Sequence, residues 1–413
     1  MKKIHLFPVV LAAWLLCLSS CQSPSSTPIT LQNGNWVGTL HLREAADLPF
    51  QFSLNQAGEN YKMVVFNAEE RIEVDEIVQK GDSLIIKMPV FDSEFKLKIH
   101  SATELSGNWY DYTRGVDYHT PFKAEFGEEG RFPIQYEAAE LAPLYSLQFL
   151  DGTGPAIGQF SQNGNKVTGN FQTETGDYRF LEGIMDGNTL KLSAFDGSHA
   201  FLFHADIKGD SIAGKFWSGS HWEESWIGIV DPGASIRKPE DLTFLKEGFE
   251  EFSFKFPNLE GDSISFKDDR FKNKVTIVQL MGSWCPNCMD ETRLFTQWYD
   301  KYHKEGLEIV GVAFERTSKG MPQAQKNIVR MAKRLEANYP FLLAATNNDK
   351  SLASEKFPML NNIISFPTSI FLDKKGRVRK VHTGFNGPGT GNVYTRYVEE
   401  YEAFLEKMLA EEI

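Results

Sequence analysis

The chain has 413 residues, with 55 acidic against 43 basic side chains and a formal net charge of −12. A hydrophobic fraction of 41% and a charged fraction of 24% exclude a disordered tail protein, and the length suits roughly two to four domains. The acidic balance excludes a nucleic-acid partner, which needs a basic face, and four cysteines are too few for a disulfide scaffold.

The chain opens on an address. Lys2 and Lys3 precede an apolar run from Leu6 to Leu18, followed by Leu18-Ser19-Ser20-Cys21. A basic start, a short apolar core and small residues before a cut site make residues 1–20 an export signal. The run is shorter than the roughly 20 apolar residues that span a bilayer. The four residues ending at Cys21 resemble a bacterial lipobox. That resemblance implies cleavage before Cys21, lipidation of Cys21 and loss of Cys17 with the signal. Residues 21–30, rich in Ser, Thr and Pro, read as a tether. An acidic body is repelled by anionic lipid, so the acyl anchor, not charge, would hold the protein to a membrane. The expected location is the bacterial cell envelope, where disulfides form.

Residues 31–236 alternate short apolar runs with turns. Phe95-Lys96-Leu97-Lys98-Ile99 is one such run, and Asn163-Gly164, Asp186-Gly187 and Asp196-Gly197 are hairpin signals. No sustained 3.6-residue period interrupts the pattern. Two halves match: Gly58 with Gly164, Gly81-Asp82 with Gly187-Asn188, Phe91-Asp92 with Phe195-Asp196, and Gly107-Asn108-Trp109 with Gly214-Lys215-Phe216. Two all-β copies follow, 31–132 and 133–236, each a small barrel or sandwich unless they share one larger β structure. Trp217, Trp222 and Trp226 read as packing rather than a ligand cup. His199, His204 and His221 lack the spacing of a metal site. The turn-rich Asp231-Pro232-Gly233 opens a linker over 231–246.

Chemistry concentrates in residues 247–413. Val275 to Met281 is an apolar, β-branched-rich strand, and Leu294, Phe295, Trp298 and Tyr302 recur at helical spacing after it. Cys285-Pro286-Asn287-Cys288 lies where strand hands over to helix, with Pro286 suited to the first turn. A thiol at a helix start is drawn toward thiolate, and a second thiol one turn on can close a disulfide with it. A zinc reading needs two further ligands, and neither another Cys nor a paired His supplies them. The electrons travel on the two sulfurs, so no cofactor is implied.

Trp284-Cys285-Pro286-Asn287-Cys288 after a strand resembles the thioredoxin-fold active site, and more narrowly that of the TlpA/ResA group of membrane-tethered thiol–disulfide oxidoreductases. Phe252 to Phe266 resembles that group's leading hairpin, and Phe366-Pro367-Thr368 its cis-proline strand. The resemblance implies an α/β thioredoxin-like domain behind the all-β region. It implies Cys285 as nucleophile, Cys288 as resolving thiol, and Pro367 as a cis proline beside them. Trp284, Pro286 and the Phe366 backbone would meet the substrate. Glu315, at the end of its strand, would move protons, since Gln279 stands where thioredoxin has a buried Asp. Glu291 falls where the group often carries Glu.

The expected function is a reductase of disulfides in exported proteins, recharged by a membrane electron donor of the DsbD or CcdA type. Two alternatives remain open. A peroxiredoxin-like thiol peroxidase would place Thr or Ser three residues before its Cys, where this chain has Gly282. A β-domain binding protein would use the redox pair on a single client.

Overall fold

A computed structural model describes residues 29–412 except 59, 128, 129, 250 and 251. The export signal, Cys21 and the tether as far as residue 28 lie outside the described residues. Among those described, no helix is long and apolar enough to cross a membrane.

The first β unit has nine antiparallel strands: β1 (Gly34–Arg43), β2 (Ala46–Ala57), β3 (Asn60–Asn67), β4 (Glu70–Val74), β5 (Glu76–Lys80), β6 (Ser83–Lys87), β7 (Ser93–Ser101), β8 (Glu104–Asp111) and β9 (His119–Phe126). Alternation sets the faces. In β7, Phe95, Leu97 and Ile99 point inward, while Lys96, Lys98 and His100 face water. Sheet order is β4-β3-β2-β1-β9-β8-β7-β6-β5, an open curl.

The second unit repeats this plan with β10 (Leu144–Phe149), β11 (Pro155–Asn163), β12 (Lys166–Thr173), β13 (Gly176–Asp177), β14 (Leu181–Asp186), β15 (Thr189–Phe195), β16 (Ala200–Lys208), β17 (Ser211–Ser218) and β18 (Trp222–Val230). Strand for strand the order matches, but here β12 pairs with both β11 and β14, which closes an eight-stranded barrel. The matched turn glycines Gly58, Gly81, Gly164 and Gly187 all sit at φ between 59° and 68°. Gly107 and Gly214 both face a neighbouring carbonyl, of Lys96 and His204, with no room for a Cβ.

The two units share apolar volume. Phe195, Leu202, Ile184 and Ala200 of the second unit lie inside the first unit's core. The Phe195 ring sits 4.6 Å from Phe50 and 5.2 Å from Trp109, centroid to centroid. The three tryptophans diverge: Trp226 is fully buried, Trp217 packs against the shared core and Trp222 is exposed.

The C-terminal domain begins earlier than the sequence suggests. Residues 239–246 are not a free linker. The short helix α1 (Pro239–Leu242) packs on the domain, burying Leu242, and the Thr383 hydroxyl donates to Thr243 Oγ1 at 2.6 Å. The hairpin β19 (Lys255–Pro257) and β20 (Ser263–Ser265) follows. Then come β21 (Val275–Met281), α2 (Pro286–Tyr302), β22 (Leu307–Phe314), α3 (Met321–Arg334), β23 (Phe341–Ala345), α4 (Lys350–Lys356), β24 (Thr368–Leu372), β25 (Val378–Thr383) and α5 (Asn392–Ala410). The sheet runs β23-β22-β21-β24-β25, with β21 to β23 parallel and the last two strands antiparallel. Every residue of β21 and β22 is buried, as befits central strands covered on both faces.

The β units are fastened to this domain. Val90 and Phe91 from the β6–β7 loop enter its core. Arg330 of α3 donates to Pro89 O at 2.9 Å and to Glu76 Oε1 at 2.8 Å.

Phe195→Ala removes the plug shared by the two units. It is expected to cost about 3–5 kcal/mol in chemical denaturation, whereas Trp222→Ala, at an exposed site, should stay within about 0.5 kcal/mol of wild type.

Candidate active site

The strand-to-helix handover places both cysteines as expected. Cys285 is the N-cap of α2, and its Sγ accepts the Cys288 N–H at 3.2 Å. Both thiols are free, Cys285 is 6% exposed and Cys288 is fully buried. The Phe366–Pro367 peptide is cis. The Phe366 carbonyl, 3.5 Å from Cys285 Sγ, accepts its S–H. Trp284 Nε1 donates to Phe314 O at 2.9 Å, so its ring stands over the end of β22, edge-on to Phe366.

Two buried carboxylates flank this motif. Glu315 is fully buried, and both of its oxygens are taken by Ser283, one by the backbone N–H and one by the hydroxyl, each at 2.7 Å. It thus braces the turn two residues before Cys285. Burial pushes it up to about 7, against the Ser283 hydrogen bonds and the Arg316 charge. Glu291 lies three residues after Cys288 on α2. Its Oε2 accepts from Gln279 Nε2 and Ser369 Oγ at 2.9 Å each, while Oε1 has no hydrogen-bond partner. Burial pushes Glu291 up to about 8. Burial, the hydrogen bond with Cys285 and the Glu291 charge together hold the Cys288 thiol well above its ordinary value. Gln279, which cannot itself take a proton, ties Glu291 to the Cys288 carbonyl, 3.4 Å from its Nε2. Sequence reasoning placed the proton-moving acid at Glu315; Glu291 is a second buried acid, and its charge acts on Cys288. The helical i, i+3 step from Cys288 was the available signal.

Sequence reasoning missed that the β region walls the site. The β12–β13 turn lies against the Pro286 side. Asn287 Nδ2 donates to Asp177 O at 3.2 Å and to Phe385 O at 3.1 Å, and Ser365 Oγ donates to Thr175 O at 2.8 Å. Gly384, at φ +73°, meets the Thr175 backbone where a Cβ would collide. On the Trp284 side, Ser198 Oγ donates to the Trp284 carbonyl at 2.8 Å.

Behind this wall sits Arg179, a 3% exposed guanidinium between β13 and β14. It forms ion pairs with Asp290 of α2, Glu70 of the first β unit and Asp196 of the second. Burial alone would lower it, but Asp290, Glu70, Asp196 and Asp177 hold it well above its ordinary value. Arg179 follows from no sequence period; a lone Arg between Tyr178 and Phe180 was the sole hint.

The Redoxin family profile matches residues 247–397. The thiol-disulfide oxidoreductase ResA of Bacillus thuringiensis is 31% identical over 134 residues, covering 32% of this chain and 68% of the relative. The chain belongs to the ResA-like thiol–disulfide oxidoreductases. Sporulation thiol-disulfide oxidoreductase A of Bacillus subtilis is 26% identical over 147 residues, 36% of this chain and 78% of that protein. Among solved structures, a putative thiol:disulfide interchange protein DsbE from Chlorobium tepidum aligns over 38% of this chain and 98% of its own, at 18% identity and a TM-score of 0.28. In this oxidoreductase the two β units precede the matched domain.

Two outcomes test the geometry. Arg179→Met leaves its carboxylates buried without their cation and should destabilise the protein by about 3–5 kcal/mol in urea unfolding. Glu291 and Glu315 hold their protons more tightly folded than at the ordinary 4.5, so between pH 4.5 and 8 the folded state binds more protons. Their contribution is fully present below pH 4.5 and is lost as pH rises through 7 to 8. Denaturation of the reduced protein across that window should show falling stability, and Glu291→Gln should flatten the slope.

Proposed function

We propose that this oxidoreductase is a lipid-anchored, periplasm-facing reductase of disulfides in exported proteins. The observation that carries the reading is the unequal pair: Cys285 at the helix start against the Phe366 carbonyl, and Cys288 buried beside Glu291. The Cys285 thiolate attacks one substrate sulfur and breaks the S–S bond, and the released sulfur takes a proton. Cys288 then attacks Cys285 Sγ, the mixed disulfide breaks, and the second substrate sulfur leaves as a thiol. Two electrons pass to the substrate and the Cys285–Cys288 disulfide remains. Cys288 must lose a proton to attack. Glu291, pushed up to about 8 by burial and with its Oε1 free of hydrogen bonds, would receive it once ionised. Glu315 holds the preceding turn through Ser283.

The proton affinity of Cys288 supports the reducing direction. A dithiol is favoured over its disulfide when its thiols ionise readily; Cys288 is held protonated, which favours the disulfide product and hence the reductant. Recharging in an oxidising compartment then calls for a DsbD- or CcdA-like membrane donor. Export and attachment through Cys21 rest on the signal and lipobox-like segment.

The reduction potential of the pair is the test. A value near the roughly −270 mV of thioredoxin supports the reductase, and one near the roughly −120 mV of DsbA overturns it. Rapid thiol loss to hydrogen peroxide without a protein substrate would favour a peroxidase instead. Glu291→Gln should slow resolution of a preformed mixed disulfide by about 10²-fold while Cys285 is alkylated at a similar rate.

A further inference from the structure

The two sides of Cys285 differ. Thr175 to Asp177 fill the Pro286 side, where Asn287 and Gly384 meet their backbone. Half-exposed polar groups line the Trp284 side, and cations prevail among them. The Arg316 guanidinium lies 4.7 Å from the Trp284 ring centroid, one residue from the nucleophile. It follows Glu315 at the end of β22, and its Nη2 donates to Thr113 Oγ1 at 2.7 Å. Arg114 comes from the β8–β9 loop of the first β unit.

These two guanidiniums share one carboxylate. Asp111 Oδ2 is 3.1 Å from Arg114 and 3.8 Å from Arg316, while Oδ1 accepts from the Thr113 N–H and hydroxyl. The Arg114 and Arg316 side chains remain 20% and 21% exposed. Neutral donors continue the edge. The Tyr118 hydroxyl, beneath Arg114, accepts from the Ser220 N–H and lies 3.1 Å from His221 Nδ1. Of the other acids nearby, Asp196 pairs with Arg179 and His199, and Glu223 with Arg43 and Lys215; Glu315, which feels the Arg316 charge, is fully buried on Ser283, and burial pushes both it and Asp92 toward their neutral forms.

The field is felt by its neighbours. Burial and Arg114 pull Arg316 down to about 10, while Asp111 and the Cys285 charge act the other way. Burial, then Arg114, Arg316, His199 and Arg43, hold the His221 imidazole well below its ordinary range. This cationic edge stands out in a chain whose overall charge is −12.

We propose that Arg114 and Arg316 bind an anionic group of the substrate, so that the protein selects disulfides carrying a carboxylate near the sulfur. The proposal rests on the reductase reading above. The anion pairs with guanidinium groups that Asp111 alone cannot neutralise, and Trp284 offers its ring to the chain between anion and sulfur. Bond making and breaking are unchanged: the dithiol supplies two electrons, and the anionic disulfide leaves as two thiols.

The experiment uses the full-length reduced protein and three small disulfides: dithiodipropionate with two carboxylates, neutral bis-hydroxyethyl disulfide, and cystamine with two ammonium groups. Rates are divided by those of dithiothreitol on the same compounds, which removes intrinsic reactivity. The normalised rate for the dianion should exceed that for the dication by about tenfold or more at low salt and converge on it as salt rises. Arg114→Gln and Arg316→Gln should each shrink that ratio, Arg316→Lys should keep most of it, and Arg316→Glu should invert it. A wild-type ratio equal to that of dithiothreitol, or one untouched by salt, would overturn the anion site. Ready reduction of all three compounds at equal normalised rates would do so while leaving the reductase reading standing. Failure to reduce any of them would overturn both.

Discussion

Everything around the catalytic helix hangs on one buried guanidinium. Arg179 is nearly sealed from water and answers carboxylates from three parts of the chain: Glu70, Asp196 and Asp290. Burying any of these charges alone is costly, and the cluster is tolerable only with all partners assembled. Asp290 lies in the second turn of α2, just beyond Cys288, so the assembled cluster fixes that helix against both β units. Asp177 adds a second tie, accepting the Gly387 N–H and, through its carbonyl, Asn287. The β region is therefore a wall of the redox site rather than a remote appendage.

Duplication explains how two units came to do different work with one plan. The matched Phe91, in the β6–β7 connection, and Phe195, at the end of β15, both point outward, but to different places. Phe91 enters the C-terminal core, while Phe195 enters the first β unit. The first unit leaves β3 and β5 unpaired with each other, and the outer face of β15 and β16 occupies its core. The second closes with β12 on β14, which reduces β13 to a two-residue hairpin arm. That arm is free to reach the Pro286 side of the active site, where it is held by Asn287 and Ser365.

What the sequence revealed followed the reach of its signals. Local chemistry was legible: the strand, Cys285 at the helix start, Pro286 at its first turn and the cis Phe366–Pro367 bond all occupy their expected places. The β repeat was legible too, because turn glycines such as Gly58 and Gly164 must recur where the backbone demands positive φ. Arg179 and Arg316 were not, since Asp290, Glu70 and Thr113, which hold them, lie more than a hundred residues away and carry no periodicity. The linker misread has a similar cause. Asp231-Pro232-Gly233 marks a true turn, but only the long-range bonds of Thr243 to Thr383 and of Asn361 to Leu242 reveal where the next domain begins. Glu291 was visible as a residue yet undervalued, because burial, which raises its proton affinity, cannot be read from spacing.

The asymmetry about Cys285 bears on what the thioredoxin plan does here. An incoming strand pairing with the Phe366 backbone needs the groove between the cis proline and the Gly384 turn. In this chain the Thr175–Gly176 backbone already lies against Ser365 and Gly384. On the proposed reading, a substrate sulfur would meet Cys285 from the Trp284 side, past groups drawn from both β units and from the end of β22. On that reading, recognition would shift from a generic backbone groove to side chains such as Arg114, Tyr118 and Ser198 that the redox domain does not itself contain. Binding module and reductase, on the same proposed reading, are two descriptions of one site: the C-terminal domain would supply the electrons, and the β units, which wall that site, would set the conditions on which a disulfide reaches them.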